Sequence, residues 1–134
     1  MKPNYIFLVV DDNVIDQLVA KQLLKKTLDV DVSNVNITNN GLEAIEWICN
    51  YRNQFDHPLV ILLDIQMPEM NGLEFLKKYE TLPKNLQLET QIYMLTSSLN
   101  VDEIKQFKNN CKVTGFLNKP FPANEFKKMI YSDL

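Results

Sequence analysis

Hydrophobic residues along the chain form five short runs, which alternate with five longer segments in which apolar side chains recur every three to four positions. Short runs of apolar, aromatic and β-branched residues are typical of strands, which we predict at Tyr5–Val10, Val32–Thr38, Leu59–Leu63, Gln91–Leu95 and Val113–Leu117. The periodic segments predict helices at Asn13–Leu28, Gly41–Arg52, Gly72–Thr81, Val101–Cys111 and Phe121–Tyr131. Strands that alternate with helices indicate β-α crossovers, so the pattern predicts an α/β domain with a doubly wound, five-stranded parallel sheet.

The spacing within these segments also predicts how they pack. Tyr5–Val10 and Leu59–Leu63 are apolar throughout, as strands are when helices cover both faces of a sheet. Val32–Thr38 instead alternates between apolar and polar residues. In the first two predicted helices, the apolar stripes run through Ile15, Val19, Leu23 and Thr27, and through Leu42, Ile45 and Cys49.

Length and composition favour a single globular domain. The chain has 134 residues, of which 46% are hydrophobic and 23% charged, so it can bury one core without disulfides or metal staples. No apolar run approaches the ~20 residues of a membrane span, and the N-terminus lacks the pattern of a signal peptide. We therefore expect a cytoplasmic protein that does not insert into membranes.

Charge and cysteine content argue against further classes of protein. The net charge is −3 and Arg52 is the only arginine, whereas nucleic-acid binders usually present basic, arginine-rich faces. Direct contact with nucleic acid is therefore not expected. Cys49 and Cys111 are far apart and form no Cys-x-x-Cys pair, so neither a disulfide framework nor a zinc site is expected.

Polar and charged residues follow four of the predicted strands. Asp11 and Asp12 come after the first strand, Asp64 after the third, Thr96 after the fourth and Lys119 after the fifth. The carboxyl ends of parallel strands meet at one edge of the sheet, where α/β proteins bind their ligands. We therefore expect three carboxylates, a hydroxyl and an ammonium group to converge there.

Each of these residues also has a simpler explanation. Asp12 could cap the following helix, Thr96 could be an ordinary turn residue, and Lys119 could be a surface lysine. Asp64 does not fit the capping explanation, because it lies eight residues before Gly72, where the next helix is predicted to begin. That all of these residues fall at one sheet edge favours a site over separate structural roles.

The chemistry of these groups points to phosphoryl transfer. Carboxylates packed together repel one another unless a cation joins them, and oxygen ligands without histidine or cysteine suit Mg²⁺, with Mn²⁺ as a substitute. A carboxylate can attack phosphorus to form an aspartyl phosphate. Lys119 can bind a phosphoryl oxygen and Thr96 can donate a hydrogen bond to one.

Four motifs at the strand ends resemble those of the receiver domains of two-component response regulators, and the resemblance spans essentially the whole chain. The motifs are Val9–Asn13, Asp64–Gly72, Leu95–Ser97 and Lys119–Phe121. The resemblance, in particular to single-domain regulators of the chemotaxis type, implies a flavodoxin-like (βα)5 fold with strand order 2-1-3-4-5. It also implies one receiver domain over residues 1–134 with no output domain.

The resemblance implies a role for each residue of the pocket. Asp64 is expected to be the phosphoacceptor and a metal ligand. Asp12 is expected to bind Mg²⁺ directly, Asp11 largely through water, and Gln66 through its backbone carbonyl. The Thr96 hydroxyl is expected to turn onto the phosphoryl group as the switch, and the Lys119 ammonium to bind a phosphoryl oxygen.

The resemblance also implies features around the pocket. The Lys119–Pro120 peptide is expected to be cis, and Pro68 and Gly72 are expected to shape the loop after Asp64. Ser98, like Gln66, occupies a position that tunes phosphoryl lifetime in this family. Phe116 occupies the position of the aromatic switch, although it could equally be a plain core aromatic.

Together these features predict a stand-alone response regulator. It is expected to accept a phosphoryl group from a histidine kinase or histidine phosphotransfer domain, and to signal to a downstream protein partner through a conformational switch. We expect it to catalyse its own phosphorylation and dephosphorylation without a separate turnover substrate. Self-association into a homodimer is a further expectation.

A docking surface for the phosphodonor is predicted beside the pocket. Val14 and Leu18 lie four residues apart on the first predicted helix, and Pro120 and Phe121 follow Lys119. The alternative for Val14 and Leu18 is that they flank the core.

Two other functions are compatible with parts of the pattern. A pseudo-receiver would act as an interaction module without phosphorylation, but the key residues are intact. A Mg²⁺-dependent phosphatase of the haloacid-dehalogenase type also uses aspartate, threonine and lysine. Such enzymes need Asp-x-Asp after the first strand, whereas Asp11 and Asp12 are adjacent here, and no insertion supplies a cap over a substrate pocket.

Overall fold

Five parallel strands form a single sheet in the computed structural model, which describes residues 4–65, 67, 69–97, 101–108 and 110–131. The strand order is β2-β1-β3-β4-β5, which confirms the expected topology. The strands are β1 (Ile6–Val10), β2 (Val35–Thr38), β3 (Leu59–Asp64), β4 (Thr90–Thr96) and β5 (Gly115–Asn118).

Helices cover both faces of this sheet. α1 and α6 pack against one face, and α2, α3 and α5 against the other. The helices are α1 (Val14–Leu28), α2 (Gly41–Tyr51), α3 (Gly72–Glu80), the single turn α4 (Lys84–Gln87), α5 (Val101–Lys108) and α6 (Ala123–Ile130). Short 3-10 turns lie at Val32–Asn34 and Arg52–Gln54.

The central strands are buried because they lie between the two helical layers. Every residue of β1 and β3 is buried. Along β1, Leu8 packs with α2 and α3 on one side, while its neighbours Phe7 and Val9 pack with α1 and α6 on the other. This alternation explains why the central strands consist of apolar residues almost throughout.

The strand predicted at Val32–Thr38 is shorter in the structure. Val32–Asn34 form a 3-10 turn, and the strand begins only at Val35. The Asp31 carboxylate accepts hydrogen bonds from both the backbone nitrogen and the hydroxyl of Ser33, each at 2.9 Å. These local bonds stabilise a turn at the expense of strand pairing.

The apolar stripe predicted for α1 is not its buried face. Ile15 is 71% exposed and Val19 is also exposed, whereas the helix buries Gln17, Ala20, Leu24 and Leu28. α1 has more apolar residues than one face can bury, so packing against the sheet decides which of them are covered.

α2 departs from the predicted stripe only in part, because Ile45 is buried as predicted. Leu42 and Cys49 are exposed, and the buried face consists of Gly41, Ala44, Ile45 and Ile48. Ala44 is fully buried although its small side chain contributes little to a hydrophobic pattern. A small residue allows the helix to lie close to the sheet.

Among the described residues, no helix is both long enough and apolar enough to cross a bilayer.

The corrected face of α1 leads to a test of stability. Leu24→Ala should lower the free energy of unfolding by about 2–5 kcal/mol, because it leaves a cavity in the core. Ile15→Ala, on the exposed face of the same helix, should change it by less than about 0.5 kcal/mol. Urea denaturation of the two variants measures both values, and equal losses would contradict the observed orientation of α1.

Candidate functional site

Three aspartates lie together at the carboxyl edge of the sheet. Asp64 ends β3 and Asp11 directly follows β1, and both are buried. Val10 pairs with Leu63 in the parallel register, so the next residues, Asp11 and Asp64, lie side by side. Carboxylate oxygens of Asp11, Asp12 and Asp64 all lie within 4.8 Å of one another.

Asp12 is not a helix cap. The residue that caps α1 is Asn13, whose side chain accepts a hydrogen bond of 3.0 Å from the backbone nitrogen of Asp16. Asp12 is exposed and forms no hydrogen bond or ion pair with the described residues. The Asp12 carboxylate is therefore free to bind a ligand at the rim of the pocket.

Lys119 provides the positive charge of the pocket. Its ammonium nitrogen lies 2.8 Å from Asp11 Oδ2, 3.0 Å from Asp16 Oδ2 and 3.2 Å from Asp64 Oδ2. The backbone nitrogen of Lys119 donates a 2.8 Å hydrogen bond to the Thr96 carbonyl, which fixes the end of β5 against β4. The Lys119–Pro120 peptide is cis, as expected.

The carboxylates stabilise the charged form of Lys119. Burial by itself lowers the pKa of Lys119, but hydrogen bonds to Asp11 and Asp16 and the negative charges of Asp64 and Asp11 more than offset this effect. The pKa of Lys119 is consequently raised above its usual value, so the side chain is an ammonium ion throughout the physiological range.

Thr96 lies on β4, which is next to the strand that ends in Asp64, and Phe116 lies on the edge strand β5 beyond it. Thr96 is the last residue of β4, is buried, and pairs with Asn118 of β5. Phe116 on β5 is partly buried and packs against the core between the sheet and α2, α3 and α5. The structure thus brings Thr96 to the expected sheet edge and gives Phe116 a core contact.

Two residues next to the pocket were missed by the sequence reasoning. Asp16 supplies one of the three carboxylates that contact Lys119. Gln17 is buried, and its amide nitrogen donates to the Asp11 carbonyl and, at 2.8 Å, to Asn39 Oδ1. The only sequence signal for Asp16 and Gln17 was their position in the first turn of α1, shortly after Asp11 and Asp12.

The comparison with known proteins decides the family. A family model described as the response regulator receiver domain matches residues 7–131. This chain belongs to that family.

Individual relatives agree with this conclusion. The probable transcriptional regulator ycf29 of Pyropia yezoensis is 35% identical over 127 residues, which cover 93% of this chain and 50% of that protein, so this chain spans half of its length. Sporulation initiation phosphotransferase F of Bacillus subtilis is 27% identical, with 95% of this chain and 91% of that protein covered. A response regulator receiver protein from Dyadobacter fermentans has a crystal structure with a TM-score of 0.78, 32% identity, and coverage of 93% and 94% of the two chains.

Receiver domains generally bind Mg²⁺ at an acidic pocket, and the residues present here fit that ion. Two oxygens bound to one Mg²⁺ at ~2.1 Å are separated by at most about 4.2 Å. The three aspartates have oxygens within 4.8 Å of one another, so they are close enough for one such ion to bind among them.

The predicted docking residues differ in exposure. Val14 is 63% and Leu18 55% exposed, and Pro120 is exposed too. Phe121 is instead buried, with its ring 5.3 Å from that of Phe126. The Phe121 ring belongs to the core on the α1 and α6 side of the sheet, so the exposed part of the predicted surface consists of Val14, Leu18 and Pro120.

Three residues named in the sequence analysis, Gln66, Pro68 and Ser98, lie outside the described residues.

The exposed carboxylate of Asp12, next to those of Asp11 and Asp64, leads to a test that compares stability with and without bound metal. Asp12→Asn should raise the free energy of unfolding in EDTA by about 0.5 kcal/mol, because it removes a like charge next to Asp11 and Asp64. It should also abolish the rise in Tm that Mg²⁺ produces in the wild type. Thermal unfolding with and without Mg²⁺ measures both effects.

Glu46→Gln is the matched control for this variant, since Glu46 is an exposed acidic residue on α2. It should leave the Mg²⁺ effect unchanged. An Asp12→Asn protein less stable than the wild type in EDTA would contradict the proposed repulsion.

Proposed function

We propose that this receiver domain accepts a phosphoryl group on Asp64 from a phosphohistidine donor in a Mg²⁺-dependent reaction. The observation that supports this most directly is the surroundings of the Asp64 carboxylate. It lies 3.2 Å from the Lys119 ammonium, and its oxygens are grouped with those of Asp11 and Asp12. One group that can attack phosphorus thus lies among groups that can hold a cation and a phosphoryl oxygen.

In the proposed transfer, a carboxylate oxygen of Asp64 forms a bond to phosphorus. The bond between phosphorus and the donor's imidazole nitrogen breaks, and its electron pair stays with the leaving imidazole. Bound Mg²⁺ supplies charge stabilisation for the phosphoryl oxygens. Asp11 and Asp12 would hold the ion, and Lys119 would donate a hydrogen bond to a phosphoryl oxygen.

The proposed output is a shift between two conformations. A phosphoryl group adds negative charge and strong hydrogen-bond acceptors at Asp64, which favours a state in which the Thr96 hydroxyl and Lys119 both bind it. The Lys119 backbone already donates to the Thr96 carbonyl, so movement at one strand end affects the other. Phe116, partly buried on the same strand as Lys119, would turn further inward.

The proposed partners follow from this output. A histidine kinase or histidine phosphotransfer domain would supply the phosphoryl group, and a downstream protein would recognise the altered surface. We also propose that the protein acts alone or as a homodimer, without a separate turnover substrate and without contacting nucleic acid.

The proposal predicts a single metal-dependent adduct. Incubation with acetyl phosphate and Mg²⁺ should add one phosphoryl group to the wild type, as measured by intact mass. Asp64→Asn should give no adduct because the attacking carboxylate is gone, and EDTA should prevent the reaction in the wild type.

Beryllofluoride binding provides an independent reading of the same site. If the folded wild type gives no adduct and binds no beryllofluoride, the protein is a pseudo-receiver and the proposal is wrong. An adduct that persists in Asp64→Asn would show that a residue other than Asp64 is the phosphoacceptor.

The exposed apolar residues of α1 predict a docking defect. Val14→Ala and Leu18→Ala should each slow phosphotransfer from a phosphorylated histidine phosphotransfer domain by about fivefold, the equivalent of ~1 kcal/mol of lost contact. Labelling by acetyl phosphate should not change, because a small donor needs no docking surface.

Leu88→Ala is the matched control, since Leu88 is an exposed leucine like Leu18 but lies at the opposite end of the sheet, before the start of β4. Equal transfer rates for Leu18→Ala and Leu88→Ala would exclude the α1 surface as the docking site.

A further inference from the structure

Asp16 contacts the pocket without belonging to the acidic group that can hold a metal. It lies in the first turn of α1, and its carboxylate oxygen is 3.0 Å from the Lys119 ammonium. A lysine ammonium has three N–H donors, and here they face three carboxylates, those of Asp11, Asp16 and Asp64. Every donor of Lys119 therefore has an acceptor before any phosphoryl group arrives.

We propose that Asp16 is a positioning residue that holds Lys119 in the unphosphorylated state and competes with the phosphoryl group for it. This inference rests on the proposed function, because it concerns how Lys119 meets a phosphoryl group on Asp64. On this proposal, Asp16 lowers the affinity of the pocket for phosphoryl groups.

Asp16 is the acceptor that Lys119 can most readily give up. The side chain of Asp16 is 41% exposed, whereas those of Asp11 and Asp64 are largely buried. Asp11 is held further by a 2.9 Å hydrogen bond from the backbone nitrogen of Asn13. The Asp16 carboxylate can turn into water and be solvated there, whereas Asp11 would lose its bonds without replacement.

The charge of Asp16 acts in the same direction. The carboxylates of Asp16 and Asp64 both lie within hydrogen-bond distance of one nitrogen, so they are close neighbours. A phosphoryl group or beryllofluoride on Asp64 adds a further negative charge at this point, which Asp16 repels. Because Asp16 is partly solvated, removing its charge should strengthen binding of such a group by about threefold to tenfold.

The same charge has the opposite effect on the metal. The carboxylates of Asp16 and Asp11 both contact the Lys119 ammonium, so Asp16 attracts a Mg²⁺ ion held at Asp11, and the loss of its charge should weaken Mg²⁺ binding. A residue that mattered only for folding would change both affinities in the same direction. Opposite changes therefore distinguish the proposed role from a structural one.

The experiment compares wild type, Asp16→Asn and Asp16→Glu by isothermal titration calorimetry. Mg²⁺ is titrated first, and beryllofluoride is then titrated at saturating Mg²⁺. Asp16→Asn should bind beryllofluoride about threefold to tenfold more tightly and Mg²⁺ more weakly than the wild type. Asp16→Glu keeps the charge and should restore values near those of the wild type.

Beryllofluoride is a suitable probe because it needs no docking surface, so a change in donor recognition by α1 cannot contribute. Glu46→Gln, which removes an exposed charge on the opposite face of the sheet from α1, controls for net charge. Urea denaturation establishes that each variant is folded.

The outcomes separate the two proposals. If the wild type binds no beryllofluoride with Mg²⁺ present, the proposed function itself fails. If the wild type binds it and Asp16→Asn binds it equally or more weakly, the role of Asp16 is wrong. The same conclusion follows if Asp16→Glu behaves like Asp16→Asn, or if Glu46→Gln has the effect predicted for Asp16→Asn.

Discussion

The ion pairs of Lys119 are the interaction on which the pocket depends. Asp11 directly follows β1 and Asp64 ends β3, and these two strands are adjacent and fully buried, so water is scarce there and the two carboxylates repel strongly. The Lys119 ammonium lies within 3.2 Å of both and comes from the far edge of the sheet. These bonds let like charges lie side by side, and they link the ends of β1, β3 and β5.

The buried part of the pocket is held by ion pairs and hydrogen bonds, whereas the negative charge at its exposed rim is only partly neutralised. Asp11 is bonded to Lys119 and to the backbone of Asn13, whereas Asp12 has no partner among the described residues. Such an arrangement costs stability in the absence of a ligand, which is common at functional sites. The free energy gained by burying the apolar strands next to the pocket offsets this loss of stability.

α1 connects the pocket to the surface through residues that point in different directions. Asn13 caps the helix, Asp16 reaches Lys119, and Gln17 is buried beneath the Asp11 carbonyl. Val14 and Leu18 remain exposed on the outside. A protein that docks on these exposed residues would lie close to Lys119, because Val14 and Leu18 are within one helical turn of Asp16, which contacts the Lys119 ammonium.

The apolar pattern of the sequence determined the parallel sheet and the main residues of the pocket, because those residues lie at the ends of the apolar runs, whereas the strand order was expected from the resemblance to receiver domains. Asp11, Asp64 and Lys119 could be found for that reason: strand ends in a parallel sheet share one edge. Tertiary structure decided the rotation of α1, which exposes Ile15 and buries Gln17, since several apolar stripes compete for one contact with the sheet. The roles of Asp16 and Gln17 followed from that rotation, so periodicity could not reveal them.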